Sequence, residues 1–271
     1  MQKLRDLLRA WIVSGIARLP DGVLLDIRSG VRMERSMDYQ AASILLDVES
    51  SDEYHVRRKS CSKEPETIQW IHQHVGPGDV VYDIGANIGA YALVMAAHTK
   101  GEAEVYAFEP GFNNYAKLCT NIRLNGFEES VVPLPFALTD GSGILEFSHT
   151  DDSPGSASHE LGDLLPPTDD EGRDMRAGSI CTVGLTLDQA IEVLKLPLPT
   201  HLKIDVDGAE VRLLQGAAAT LESLNLKTIM IEVDSHEQVS RDVCTCIQAS
   251  GFVEVKRVKR PIVDNVLFQR K

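Results

Sequence analysis

Apolar and polar positions alternate with two periods along most of the chain, one typical of buried strands and the other of helices. Predicted strands cover 79–84, 104–109, 131–138, 201–205 and 227–233, and predicted helices cover 66–74, 88–99, 112–125, 187–194, 209–224 and 238–250. Strands and helices that alternate at this spacing predict a parallel α/β sheet with helices on both faces. Residues 252–258 and 263–269 predict a closing antiparallel hairpin around Pro261.

The first twenty residues have a helical period of their own. Lys3, Arg5, Arg9 and Arg18 against Asp6 give this stretch a net charge of +3. A basic amphipathic helix docks on protein, either its own domain or a second subunit, or lies on a membrane surface. We therefore expect residues 3–19 to make a subunit contact or a peripheral membrane contact, with docking on protein the commoner case. The apolar stripe consists of Leu4, Leu7, Leu8, Trp11, Ile12 and Leu19.

Two breaks in the pattern divide the chain. Residues 1–60 carry no recognisable motif and are predicted to be an N-terminal helical extension, followed by one domain over 61–271. Within that domain, residues 139–180 hold ten acidic and two basic residues and interrupt the alternation of strands and helices. The short apolar runs 144–147 and 180–183 are predicted to pair as a hairpin around this acidic insertion. Because long polar insertions in compact domains are usually functional, the insertion is a candidate lid or acceptor-binding loop.

Composition narrows the class of protein. Hydrophobic residues make up 43% and charged residues 25%, as in soluble globular domains. A net charge of −13 argues against non-specific nucleic-acid binding. Five cysteines with no second pair beside Cys244 and Cys246 indicate neither a zinc finger nor a disulfide framework. These features favour a reducing compartment, and we expect a cytoplasmic protein.

A glycine-containing loop follows the first predicted strand of the main domain. Gly85 and Gly89 flank Asn87, and small residues there let a ligand approach the backbone above a helix N-terminus. Glu109 ends the next strand, where a carboxylate can accept hydrogen bonds from both hydroxyls of a ribose. The loop and the acid together predict a site for a nucleoside-containing cofactor. A plain tight turn, in which the glycines only permit packing, is the alternative.

The polarity of this loop favours one cofactor over another. The dinucleotide fingerprint has a glycine at the position of Asn87, so that a pyrophosphate can approach closely. The carboxylate of Asp83, just before the loop, repels a pyrophosphate but suits a cationic ligand. S-adenosylmethionine, with its sulfonium and ammonium groups, fits this polarity better than a nicotinamide dinucleotide does.

A second group of charged residues that could form a site lies in and after the predicted strand 201–205. Lys203 and Asp205 alternate, so they lie on the same face of a strand whose position in the sheet predicts apolar residues. Charged side chains on such a strand require an explanation. A ligand cleft at the carboxyl end of the strand would explain them. Asp207 and Glu210 fit either a capping box, with Asp207 as the N-cap, or a functional role.

Further acidic residues follow the next strand. Glu232 ends that strand and is predicted to line the ligand crevice, whereas His236 reads as an ordinary surface histidine. Asp205, Asp207, Glu232 and Asp234 could together hold a divalent cation with oxygen ligands. Acidic strand ends without a metal are common in such clefts, so no metal site is assigned.

From residue 64 onwards the chain resembles the FkbM-type methyltransferases, which use S-adenosylmethionine. The resemblance covers about residues 64–270 and leaves residues 1–60 outside. One departure is Asp207, where the family often has glutamate. The matching motifs are Glu64-Pro-Glu66-Thr, Asp83-Ile-Gly-Ala-Asn-Ile-Gly89, Phe108-Glu-Pro110 with Asn121, Ala137-Leu138, Gly155-Ser-Ala-Ser158, Thr186-Leu-Asp188, Lys203-Ile-Asp-Val-Asp-Gly-Ala-Glu210 and Ile231-Glu232.

The resemblance implies a Rossmann-like seven-stranded methyltransferase sheet and methyl transfer to a hydroxyl oxygen of a small molecule or a sugar. By the same resemblance, Glu109 would hold the ribose and Ala137 would lie near the adenine. The methionine part would be held by Asp83, Gly85, Asn87 and Gly89, and the transfer site would be faced by Asp205, Lys203 and Glu232.

The favoured hypothesis is an O-methyltransferase in which Asp205 removes the proton of the acceptor hydroxyl. Lys203 would set the position of Asp205 or stabilise a developing alkoxide. Two alternatives stay open at this point. One is a nicotinamide-dependent oxidoreductase on a related sheet, and the other is a non-catalytic module that binds S-adenosylmethionine and acts through its N-terminal helix.

Overall fold

The computed structural model describes residues 2–149, 153–156, 159–164, 181–234 and 237–271, and the chain divides into two compact units, Met1–Glu34 and Arg35–Lys271. Residues 35–60, which the sequence analysis grouped with the N-terminal extension, belong to the larger unit. They are tied to it by side-chain amides: Leu45 N donates to Asn125 Oδ1 at 2.8 Å, and Asp47 N donates to Asn121 Oδ1 at 2.9 Å.

The smaller unit holds two helices, α1 (Gln2–Ile16) and α2 (Asp21–Gly30), so the predicted N-terminal helix is present. Pro20 immediately precedes α2, where its fixed φ suits the start of a helix. The apolar stripe of α1 is exposed, and the side chain of Trp11 is 75% accessible. None of the helices in the described part of the chain has the length and apolarity needed to cross a bilayer.

The larger unit alternates strands and helices. Its helices are α3 (Ser51–His55), α4 (Ser60–Lys63), α5 (Pro65–His74), α6 (Ala90–His98), α7 (Phe112–Asn125), α8 (Leu187–Leu194), α9 (Glu210–Gln215), α10 (Ala218–Glu222) and α11 (Glu237–Ala249), with a 3₁₀ turn at Arg57–Lys59. Its strands are β1 (Glu34–Ser36, which begins one residue before the unit), β2 (Leu45–Asp47), β3 (Val80–Ile84), β4 (Glu104–Phe108), β5 (Val131–Leu134), β6 (Ala137–Leu138), β7 (Gly143–His149), β8 (His159–Leu164), β9 (Cys181–Leu185), β10 (His201–Ile204), β11 (Thr228–Asp234), β12 (Phe252–Val258) and β13 (Val263–Arg270).

The central sheet of the described residues has seven strands in the order β12-β13-β11-β10-β3-β4-β5. The strands from β11 to β5 are parallel, and β13 joins β11 antiparallel and forms the predicted C-terminal hairpin with β12. The predicted fold class is therefore confirmed. The strand order reverses between β3 and β10, and such a switch point opens a ligand crevice at the carboxyl ends of parallel strands.

Burial explains why these segments form the centre of the sheet. Every residue of β10 is buried, as are Val81 to Ile84 of β3, which is the pattern of strands covered on both faces. The helix that follows β3 is buried from Ala90 to Ala96, because it is apolar all round. Charged side chains on these strands consequently sit in the interior and need partners there.

Two predicted elements differ in the structure. The segment 131–138 is not one strand, because Pro135 lacks a backbone N–H, and the chain leaves the central sheet after Leu134 and pairs elsewhere from Ala137. The predicted helix over 209–224 is split at Gly216. A Cβ at Gly216 would lie 2.0 Å from Thr139 O, so the chain approaches that carbonyl more closely than a continuous side-chain-bearing helix allows.

A second sheet, in the order β6-β9-β7-β8, lies within the described parts of the insertion and its flanks. Strands β7 and β9 are antiparallel, with Ile144 opposite Val183, as the sequence predicts for these two runs. Strand β8 pairs with the other edge of β7. Residue 180 of the predicted pairing, and residues 165–179 between the strands, lie outside the described residues.

A buried polar chain lies at the amino ends of the central strands. Trp70 Nε1 donates to Thr228 Oγ1 at 2.9 Å, and the Thr228 hydroxyl lies 2.7 Å from His201 Nδ1. The Thr228 hydroxyl thus bridges Trp70 and His201, and the other ring nitrogen, His201 Nε2, lies 3.4 Å from Asp79 Oδ2. His201 is 1% exposed, and burial lowers its pKa to about 4.

This histidine should make stability depend on pH. An unfolded chain has an ordinary histidine pKa of ~6.5, so the unfolded state binds the proton more tightly than the folded state does. The contribution of neutral His201 to the free energy of unfolding is fully present above pH ~6.5. It decreases as the pH falls towards 4, and the loss is about 2 kcal/mol at pH 5. We expect His201→Gln to lose less stability than the wild type between pH 7.5 and pH 5, measured by urea unfolding. His55→Gln, at an exposed position, should keep the wild-type difference, and equal slopes in wild type and His201→Gln would contradict the assignment.

Candidate active site

A cleft opens at the carboxyl edge of the central sheet, between β3 and β10. One end is polar, with Asp205 and Glu232 at the ends of β10 and β11. The other end is apolar and is bounded by residues that follow β4 and β5. The fold thus places the cleft at the strand-order reversal, where ligands of open α/β sheets bind.

The glycine loop forms the floor of this cleft. Gly85 N and Ala86 N both donate to Phe108 O, at 3.0 and 2.9 Å, which holds the loop against the end of β4. Gly85 has φ +80°, and a Cβ there would lie 1.7 Å from Asp205 O. Glycine is therefore required at this position both by the backbone conformation and by the close approach of β10.

Glu109 connects the glycine loop to the start of α7. Its Oε2 accepts from Asn87 N at 2.7 Å, and its Oε1 accepts from Gly111 N at 2.8 Å. The side chain is buried, and burial raises its pKa to about 7 although these two N–H groups favour the carboxylate. Each oxygen keeps a second lone pair, so the carboxylate can also accept hydrogen bonds from a ligand in the cleft.

Aromatic and aliphatic side chains enclose the apolar end. The rings of Phe108 and Phe136 meet edge to face, with centroids 5.5 Å apart. Ala137 lies beside them, and Phe147 and Leu161 of the second sheet line the same end. A flat heterocycle fits a slot of this kind, since aromatic edges and methyl groups offer dispersion contacts without charge.

Lys203 is the buried cation beside the polar end of the cleft. Its Nζ lies 3.2 Å from Asp205 Oδ2 and 3.4 Å from Asp83 Oδ1, and 4.8 Å from the ring centre of Tyr91. Burial acts to raise the pKa of Asp205, but Lys203, followed by Arg57 and Lys63, lowers it overall. Burial raises the pKa of Asp83, because Asp83 is wholly inaccessible while Asp205 is partly open to the cleft. The sequence prediction that Lys203 and Asp205 share a face agrees with this geometry.

Glu232 is the second acid at the polar end. It lies at the end of β11 and lines the cleft with Asp205. Burial, followed by the negative charges of Asp205 and Glu64, raises the pKa of Glu232 to about 8. The two neighbouring acids therefore differ in protonation at neutral pH, with Asp205 ionised and Glu232 largely neutral.

The predicted site residues fall into two groups. Lining the cleft are Gly85, Asn87, Glu109, Ala137, Asp205 and Glu232. Three others, Asp83, Gly89 and Lys203, lie behind its wall. The side chain of Asn87 is engaged with protein, since Nδ2 donates to Ser156 O at 2.8 Å and Oδ1 accepts from Ile88 N at 2.9 Å.

The capping-box reading of Asp207 and Glu210 is wrong. Helix α9 begins at Glu210 with Ala209 as its N-cap, and Asp207 has φ +44°, so Asp207 lies in a turn before the helix. Glu210 Oε1 accepts from Gly208 N at 3.0 Å instead. Asp207 itself lines the cleft. His236 lies outside the described residues.

Two basic residues were missed as part of the site. Arg57 and Lys63 both line the cleft, from the segment that precedes α5. The run Arg57-Arg58-Lys59 is visible in the sequence as a basic patch, but nothing in its spacing links it to a strand end 150 residues away. Among the described residues, no group of three or more histidine, cysteine and acidic side chains has an arrangement suited to a metal ion.

Comparison with known proteins identifies the class. A family model described as "Methyltransferase FkbM domain" matches residues 83–254, which include the glycine loop, Glu109, Asp205 and Glu232. A Rossmann-like sheet with this match defines a methyltransferase. The chain belongs to the FkbM methyltransferase family.

Curated relatives and a solved structure agree with this. The chain is 27% identical over 225 residues to the hexuronic acid methyltransferase AglP of Haloferax volcanii, covering 82% of this chain and 83% of that one. It is 23% identical over 205 residues to the 31-O-demethyl-FK506 methyltransferase FkbM of Streptomyces tacrolimicus, covering 66% and 74%. The crystal structure of methyltransferase FkbM from Methylobacillus flagellatus KT shares the fold, with a TM-score of 0.51 and 14% identity over 79% of this chain and 61% of that one.

Proposed function

We propose that this protein transfers a methyl group from S-adenosylmethionine to a hydroxyl oxygen of a small molecule or sugar. The observation that carries the proposal is the pairing, within one cleft, of Glu109 at the apolar end with an ionised Asp205 at the polar end. The relatives support a sugar or small-molecule acceptor, since one is a hexuronic acid methyltransferase and another is a 31-O-demethyl-FK506 methyltransferase.

The residues of the cleft fit S-adenosylmethionine. Glu109 would accept hydrogen bonds from the ribose hydroxyls, and the adenine would lie between Phe136, Ala137 and the side chains of the second sheet. The carboxylates of Asp205 and Asp207, which line the cleft, suit the positive sulfonium and ammonium groups. Asp83 and Gly89 would act indirectly in this arrangement, Asp83 through its contact with Lys203 and Gly89 by letting α6 begin beside Leu118.

In the proposed reaction Asp205 accepts the proton of the acceptor hydroxyl as the oxygen attacks. S-adenosylmethionine, when bound, would supply an electrophilic methyl group on a positively charged sulfur, which leaves as a neutral thioether. Alignment of the acceptor by the cleft and removal of its proton by Asp205 are then the tasks of the protein. Lys203 keeps Asp205 ionised and fixes its position through the 3.2 Å contact. Neutral Glu232 would donate a hydrogen bond to the acceptor from the other side.

Cofactor binding is the direct test. We expect isothermal titration of the purified protein with S-adenosylhomocysteine to show saturable binding, and titration with NADH to show none, because Asn87 stands where the dinucleotide fingerprint has the glycine that lets a pyrophosphate approach. NADH binding without S-adenosylhomocysteine binding would overturn the proposal in favour of an oxidoreductase. Mass spectrometry of hydroxyl-bearing sugars incubated with the protein and S-adenosylmethionine should then show a gain of one methyl group. A protein that binds the cofactor but methylates no member of a broad acceptor panel would instead be a binding module.

A further inference from the structure

Four residues of the acidic insertion, Ser153–Ser156, lie between α3, α7 and the glycine loop, with Gly155 and Ser156 buried, and we call this segment the strap. Its backbone is bonded on every side by side chains from outside the insertion. Arg57 Nε donates to Gly155 O at 2.7 Å, and Ser50 Oγ donates to Pro154 O at 2.6 Å. Gly155 N donates to Asn114 Oδ1 at 2.8 Å.

The strap reaches the glycine loop itself. Asn87 Nδ2 donates to Ser156 O at 2.8 Å, while the backbone N of Asn87 donates to Glu109. Asn87 has φ +52°, a conformation that residues other than glycine adopt reluctantly. Asn87 is therefore held through its backbone N by Glu109 and through its side-chain amide by the strap.

Gly155 determines whether the strap can dock. It has φ +84°, and a Cβ there would lie 2.9 Å from Glu53 Cγ and 3.2 Å from Glu53 N. Glu53 cannot move aside freely, because its side chain caps α3 by accepting from Ser50 N at 2.8 Å. Only glycine combines this backbone conformation with this close approach.

The insertion also reaches the opposite end of the cleft. Phe147 on β7 and Leu161 on β8 line the apolar end beside Phe136. The described parts of the insertion thus contact the proposed cofactor site twice, at the glycine loop and at the apolar slot. A lid dedicated to the acceptor would not require either contact.

We propose that the strap is a positioning element of the cofactor site, which holds Asn87 and Arg57 in the arrangement that binds S-adenosylmethionine. The inference rests on the proposed function for the identity of the cofactor. It revises the expected role of the insertion, from acceptor binding alone to a contribution to cofactor affinity. The thermodynamic consequence is reciprocal, because a ligand that prefers the docked strap must also stabilise it.

The test is the substitution Gly155→Ala, compared with Gly78→Ala. Gly78 has φ +79° but no atom within 4 Å of an added Cβ, so it carries the same backbone strain without the steric conflict. We expect Gly155→Ala to weaken S-adenosylhomocysteine binding at least tenfold in isothermal titration, and Gly78→Ala to bind as the wild type does. Ser50→Ala removes the donor to Pro154 O from a position outside the lining of the cleft, and should weaken binding in the same direction.

A second measurement separates this inference from the proposed function. Hydrogen exchange of residues 85–89 in the ligand-free protein should be faster in Gly155→Ala and Ser50→Ala than in Gly78→Ala. If the wild type binds S-adenosylhomocysteine and both strap variants bind it equally well, the strap proposal is overturned. If the wild type does not bind it, the proposed cofactor is wrong, and the strap is then judged by exchange alone. Unchanged exchange in both variants would overturn it in that case too.

Discussion

Asp205→Asn is expected to lower kcat by about 10²–10⁴-fold while leaving the affinity for S-adenosylhomocysteine within a few fold of wild type. An amide has nearly the shape of the carboxylate, but it cannot accept the acceptor's proton. Lys203 keeps its 3.4 Å contact with Asp83, so the substitution does not strand a buried cation. The measurement is steady-state methyl transfer to an acceptor found in the panel, with titration calorimetry on the same preparation.

Asp242→Asn is the matched control, because it makes the same change of charge at an exposed position of α11 away from the cleft. Its kcat should equal that of the wild type. Unchanged turnover in Asp205→Asn would eliminate Asp205 as the base and leave Glu232 as the next candidate. Loss of cofactor binding together with turnover would make Asp205 a binding residue and not a base.

Gly85→Ala is expected to abolish measurable cofactor binding. The added methyl group would lie 1.7 Å from Asp205 O, so either the glycine loop or the end of β10 must move, and both form the cleft. Overpacking costs about 1–3 kcal/mol, and the left-handed backbone adds ~1–2 kcal/mol for a residue with a side chain. We expect a lower melting temperature and no saturable heat of binding with S-adenosylhomocysteine.

Gly78→Ala again separates the steric conflict from the backbone strain, since Gly78 has nearly the same φ as Gly85 but no close neighbour. It should lose only the backbone contribution, ~1–2 kcal/mol, and bind normally. Normal cofactor affinity in Gly85→Ala would mean that the loop does not form the floor of the binding site.

The central sheet could be predicted from the sequence because the apolar composition of its strands indicates that they are buried. Runs such as Val80–Ile84 and Thr228–Asp234 are too apolar for a surface strand, and the helices between them have a clear period. The predictions failed where the conformation of a residue depends on a neighbour that is distant in the sequence. The break at Gly216 depends on Thr139 O, which approaches from the second sheet and leaves no trace in the local pattern.

The residues of the candidate site also divide into those that the sequence could predict and those that it could not. Gly85, Glu109 and Asp205 could be predicted because each stands at the end of a strand, and parallel strands end at one edge of a sheet. Arg57 and the strap could not be predicted, since their places are set by contacts across about 100 residues and by an insertion without a regular period. Local spacing also left open whether Asp207 caps α9; its left-handed backbone delays the start of that helix, so Ala209 is the N-cap instead.

The adjacency of β3 and β10 has a consequence for folding and for evolution. Val80 and Thr200, bonded to each other at the amino ends of these strands, are 120 residues apart in the chain. The floor of the cleft therefore forms only when a very long loop closes, which predicts slow folding through non-local contacts. The entropic cost of closing such a loop rises only with the logarithm of its length, about 0.6 kcal/mol for each doubling. Residues can consequently be added between β6 and β9 at little cost in closure entropy and without rebuilding the central sheet.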